Sequence, residues 1–343
     1  ESKYAEKIRW LAKEQEAIYD PDFGDMLRVS FMHQFRRGRL ADLVSLLSGR
    51  NFKTKEYQED IVVDSYQKLN QGILNFINEY NFKQFLLAIK GAGFISNKLL
   101  NSNMTLDFAY TLYLILASTP EIPKDQIKRF VQKWFVLSTL TSRYTASPES
   151  QMHRDMQSIE EKGFLNFFAE IEASALSESF WRVTLPQNLE TSSVNSPGFR
   201  VFLAVQVYCH SDSLFMNGME VRDLLLIAGD IHHIFPRAYL KKQGIDNRAR
   251  YNQVANYIYL DTQVNKAIGD QAPCEYFGKV IQQCETKAPV LGNVVDTELL
   301  KRNLDENCIP QAIHQMDFTN YEEFLSQRRY LMAAKIKEYY GNL

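Results

Sequence analysis

Apolar residues recur at three- and four-residue spacing through most of the first two hundred positions, and this period predicts helix after helix. SKYAEKIRWLAKEQEAIY carries the pattern first, and FGDMLRVSFMHQFRRG repeats it, with Gly38 placed as a C-cap. KEYQEDIVVDSYQKLNQGILNFINEY reads as a long amphipathic helix. MTLDFAYTLYLILAS is apolar nearly all round, so it is expected to be central and buried. PKDQIKRFVQKWFVLSTLTSRY starts with Pro123 near its first turn, and SPESQMHRDMQSIEEKG has Ser147 as N-cap and Pro148 at N1. The Tyr and Phe stripes of these helices read as core. The polar run LPQNLETSSVNSPG (185–198) is the best linker candidate. FRVFLAVQVYCH follows as an apolar run of either type.

The pattern changes near residue 230. DIHHIFPRAYL opens with a short strand-like end, and a basic, flexible middle follows. NYIYL is rich in aromatic and β-branched residues and reads as a second strand. DTQVNKAIGD has Asp261 or Thr262 as N-cap and Gly269 as a stop, which makes a short helix. Strand, loop, strand, helix is the order of a ββα-metal finger, here at about 228–270. The expected fold class is therefore mainly α. A multi-helix part over 1–190 is followed by a helical domain over 191–343 that carries the finger and ends in helices.

Composition narrows the function classes. Apolar residues make up 45% and charged residues 23%, as in ordinary globular proteins. The net charge of -2 gives no global basic field, so contact with nucleic acid must come from local patches. The apolar runs are far short of a membrane span, and no membrane partner is expected. Cys209, Cys274, Cys284 and Cys308 form no CxxC pair, which fits free thiols in a reducing cytoplasm. The chain opens on Glu and enters a helical pattern at once, so it is expected to be a piece of a longer protein.

The segment resembles the HNH endonuclease motif in its H-N-N form. More closely, DIHHIFP…NQVANYIYLDTQVNKAIGDQAPCEYF is similar to the C-terminal nuclease domain of the GmrSD-type, modification-dependent restriction endonucleases. WFVLSTLTSRYTASPESQMHRDM upstream and FTNYEEFLSQRRYLMAAKIKEYYG at the end share the likeness, which runs from about Lys133 onward. The YQR and DGQQR strings of the family's N-terminal ParB-like module do not occur here, so that module of the same protein is an expected partner, with DNA and, for double-strand cuts, a second copy. The resemblance implies a bacterial, antiviral restriction function and divalent-metal-dependent cutting or nicking of DNA.

Phosphodiester hydrolysis needs a base for water and a cation for the charge that develops at phosphorus and on the leaving oxygen. By the family pattern His233 is the base, His232 and Asn265 are metal ligands, and Asn256 is the asparagine that braces the loop and the His233 ring; Asp230 joins the candidate ligands. Where the pattern has Asp, this chain has His232. Mg²⁺ or Mn²⁺ is the expected cofactor, with Ni²⁺ or Zn²⁺ suited to an imidazole. Neighbours in a strand point to opposite faces, and a bulge or strand end near Pro236 would relax this. Arg237, Lys241, Lys242, Arg248, Arg250 and Lys266 are candidate phosphate contacts; against four Asp they give the finger a modest local excess. Arg143, at a helix end, is another. HQFRRGR reads as a phosphate patch or as a solvated helix end. The alternative to a nuclease is a catalytically inactive nucleic-acid-binding module or a helical interaction scaffold.

Overall fold

In the computed structural model the helical period is realised across the chain; residues 4, 6, 7, 18–100, 102–227 and 229–343 are described. Most of SKYAEKIRWLAKEQEAIY, where a first helix is expected, lies outside the described residues. The protein is mainly helical, and its described strands form a single two-stranded sheet. The chain divides into two compact units, 1–177 and 178–342.

The first unit is built from α1 (Phe23–Phe35), α2 (Leu40–Leu47), α3 (Glu59–Phe76), α4 (Glu79–Gly91), α5 (Asn103–Ala117), α6 (Lys124–Leu140), α7 (Pro148–Lys162) and α8 (Phe164–Ala175). As its composition requires, α5 is central: every position from Thr105 to Leu116 is buried. It packs on α1, α4 and α6. Its one carboxyl side chain, Asp107, accepts hydrogen bonds from Tyr19 (2.7 Å) and Arg28 (2.9 Å), which satisfies a buried polar group whose pKa burial pushes up to about 8.

Two helix ends differ from expectation for local reasons. The chain leaves α1 at Arg36, whose left-handed backbone (φ 55°) lets its N–H reach Met32 O. Gly38 serves a close approach instead: a Cβ there would stand 2.3 Å from the His153 backbone nitrogen. The long pattern over 55–80 also breaks after Phe76, because the Asn78 side chain accepts from Asn81 N (3.1 Å) and starts α4.

The second unit begins with a π-helical turn (Phe180–Thr184) that runs into α9 (Leu185–Asn188). The 185–198 segment is thus part of this unit, with Leu185 and Leu189 buried. α10 (Pro197–Tyr208) and α11 (Val221–Leu226) follow. Then come β1 (Ile231–His233), α12 (Arg237–Lys242), α13 (Arg248–Tyr251), β2 (Tyr257–Tyr259) and α14 (Thr262–Ile268). α15 (Pro273–Thr286), α16 (Thr297–Glu306) and α17 (Tyr321–Asn342) complete it. The finger shares one core with these helices: Ile234, Phe235, Ile258, Val264 and Ile268 pack with Phe277 and Phe324. The basic middle is not a flexible loop. It folds as α12 and α13 and buries Tyr239, Leu240, Ile245 and Tyr251.

Candidate active site on the finger

The two short strands pair antiparallel with a regular register, His233 opposite Tyr257 and His232 opposite Ile258. The register contains no bulge. Alternation therefore sets the two imidazoles on opposite faces of the ribbon. Pro236 lies beyond the strand, where it interrupts no ladder bond.

The turn after β1 is fixed by Asn256, which is fully buried. Its Oδ1 accepts from Phe235 N (2.8 Å), and its Nδ2 donates to Phe235 O (3.1 Å) and Tyr251 O (3.2 Å). A side-chain amide thus pairs with the Phe235 backbone as a peptide would, and holds both ends of the 235–251 segment. Distant segments add to this brace. Tyr276 donates to Ile234 O (2.7 Å) and Tyr321 to Arg250 O (3.0 Å). Buried Arg328 donates to Ala255 O (3.0 Å) and Tyr257 O (2.7 Å), on either side of Asn256.

The His233 ring is held by Asn252, not by Asn256. Its Nε2 stands 3.0 Å from Asn252 Oδ1. With that nitrogen protonated to donate, Nδ1 is left as the basic site. The ring also meets the Tyr257 ring edge to face at 5.2 Å. Burial lowers its pKa most; the Asn252 bond opposes this, while Arg237 and His232 lower it further. His233 is accordingly a neutral base near pH 7. Sequence reasoning missed Asn252; a second asparagine four residues before Asn256 was the available signal.

His232 differs. Its Nε2 is buried and has no hydrogen-bond partner among the described residues. Burial lowers its pKa, against the pull of Asp230 and Asp261. An orphaned imidazole nitrogen near two carboxylates suits a cation. Asp261 caps α14 through Oδ1, which accepts from Gln263 N and Val264 N. Asn265, half-buried one turn into α14, makes no side-chain hydrogen bond among the described residues. Asp230 is exposed. Among the described residues no three His, Cys, Asp or Glu side chains gather as a metal cage. A cation held here would have the buried, unpartnered His232 Nε2 as its main protein donor and would keep open positions for water or phosphate.

The candidate phosphate contacts separate by what they touch. Arg143 is taken up by Asp155 through two bonds (2.8 and 2.6 Å), with Tyr144 and Gln151 on the same carboxylate, so its role is structural. Arg250 pairs with Glu322 (2.7 Å) and Lys242 with Asp270. Lys241 sits over the Tyr251 ring at 5.4 Å. Arg237, Arg248 and Lys266 are exposed and make no ion pair or side-chain hydrogen bond among the described residues. Arg237 adds to the lowering of the His233 pKa by burial, and Arg248 opposes the burial that raises the Tyr257 pKa. In the HQFRRGR patch, Arg36 pairs with Glu160 and Arg37 with Asp42.

The chain is similar to an uncharacterized protein of Methanocaldococcus jannaschii, at 22% identity over 231 residues. That match takes in 61% of this chain and 37% of the relative, so the chain spans well under half of the relative's length. No protein-family profile and no solved structure matches the chain. No described helix is long and apolar enough to cross a membrane.

Proposed function

We propose that this chain is the cutting part of a restriction or phage-defence protein, a divalent-metal-dependent DNA endonuclease or nickase of HNH type. The observation that carries the reading is the His233 ring. It is kept neutral by burial, oriented through Nε2 by Asn252, and close to the exposed guanidinium of Arg237. A neutral imidazole with a free nitrogen takes a proton from water, and an adjacent cation offsets phosphate charge. His232, with Asn265 and Asp230, would hold the metal, Mg²⁺ or Mn²⁺ foremost. When bound, the metal supplies charge stabilisation at phosphorus and at the leaving oxygen. Arg237, Arg248 and Lys266 would bind the DNA backbone. The ParB-like module of the same protein would supply target choice, and a second copy would supply the other strand's cut.

A second reading has its own support. The regular register puts the two imidazoles on opposite faces, which suits a nucleic-acid-binding finger that does not cut. The experiment is conversion of supercoiled plasmid with Mg²⁺, Mn²⁺, Ni²⁺ or EDTA, for wild type and His232→Ala. The nuclease reading expects metal-dependent nicks, weaker in His232→Ala and partly restored by excess metal. DNA binding without nicks in any metal leaves the binding finger.

A further inference from the structure

The first unit has a cleft of about 280 Å³ formed by α4, α5 and α6. Three helical stripes line it. On α4, Tyr80, Gln84 and Ala88 are spaced by four, so they share a face. On α6, Lys124 and Lys128 share a face with Gln132, whose Nε2 donates to Ala88 O (2.9 Å) and clamps the two helices together. Tyr113 of α5 closes the floor.

The chemistry of this lining is specific. The Tyr80 ring is exposed and stacks on no other ring among the described residues, whereas Tyr113 is buried against Tyr110 with a centroid distance of 6.3 Å. Lys124 and Lys128 are exposed and make no ion pair or hydrogen bond among the described residues. Lys128 is placed by the fold: a Cβ on Gly91 would stand 3.0 Å from its Nζ, so the glycine leaves room for the ammonium over the end of α4. The Gln84 side chain makes no hydrogen bond among the described residues, and exposed Leu87 adds apolar surface. An unstacked phenol, two unpaired ammonium groups and a free amide, converging on one small cleft, call for a flat ring that carries a phosphate.

We infer that this cleft binds a nucleotide, with its base on Tyr80 and its phosphate between Lys124 and Lys128. The nucleotide is either free or one unit of a single strand, because both present the same ring and phosphate. The site is independent of the reaction proposed for the finger.

The test is titration of the full chain with dTMP, thymidine, inorganic phosphate and oligo(dT), followed by calorimetry and ligand-observed NMR. Wild type binds dTMP or oligo(dT) saturably, and thymidine and phosphate at least tenfold more weakly. Binding of dTMP as tight as that of oligo(dT) identifies a free nucleotide; binding of oligo(dT) alone identifies a strand. Tyr80→Ala weakens binding on the order of tenfold, as loss of one stacked base does. The double change Lys124→Gln and Lys128→Gln weakens it and flattens its salt dependence. Tyr80 and both lysines are exposed, so these variants keep the wild-type Tm. Equal binding by wild type and variants, binding of phosphate as tight as that of dTMP, or no saturable binding of either probe overturns the assignment.

Discussion

Replacing Asn256 with Ala tests how the finger is held together. The side chain is fully buried and makes three bonds to backbone. Each bond is worth about 1 kcal/mol net, and a buried group left unpaired costs about 1–3 kcal/mol. Alanine leaves the Phe235 N–H without its acceptor; the Phe235 and Tyr251 carbonyls lose a donor. The Arg328 bonds to Ala255 and Tyr257 remain and limit the collapse. The expected loss is about 3–5 kcal/mol, a large share of the roughly 5–15 kcal/mol that holds a domain. Asn256→Asp should be no better, since it keeps the acceptor but points carboxylate oxygen at two carbonyls. The assay is urea unfolding by circular dichroism, with amide exchange over 234–251 to assign the change to the finger. A loss below about 1 kcal/mol, with unchanged exchange, would refute the reasoning that this amide is the keystone of the turn.

Two further predictions concern protonation. Asn252→Ala removes the bond that raises the His233 pKa, so the acidic limb of the cleavage rate should move to lower pH, with a rate loss on the order of tenfold from the freed ring; a shift to higher pH would contradict the assigned tautomer. His33 is held neutral in the fold, its pKa lowered from 6.5 to about 4 by burial and Arg36. The unfolded chain then binds the proton first as pH falls, so stability is full above about 6.5 and drops toward pH 4, by about 3 kcal/mol in all. In urea melts between pH 7 and 4.5, His33→Gln should lose less stability than wild type; an equal loss would exclude His33 as its source.

The sequence exposed what repeats and hid what is placed by distant partners. Helical spacing marked α5 as buried because its apolar positions have no polar side. The paired histidines, the strand residues Tyr257–Tyr259 and the Asp261 cap were visible because each acts through its immediate neighbours. The break at Asn78 was hidden because apolar spacing continues across it and one side-chain cap makes the difference. The fate of the cations was hidden for the opposite reason. Arg143 finds Asp155 on the next helix, and Arg250 finds Glu322 on α17, pairings that no local pattern encodes. Asn252 lay in an aperiodic turn, where nothing separates a ring-holding amide from a solvated one.

The central claim is that His233 is the base of a DNA-cutting site. The most direct measurement is the single-turnover nicking rate of His233→Ala against wild type, at saturating Mg²⁺ or Mn²⁺ and matched DNA occupancy. Loss of a general base predicts a rate lower by about 10²–10⁴, with DNA affinity and Tm kept and no rescue by added metal. A variant that nicks like wild type, or one restored by metal alone, would contradict the claim.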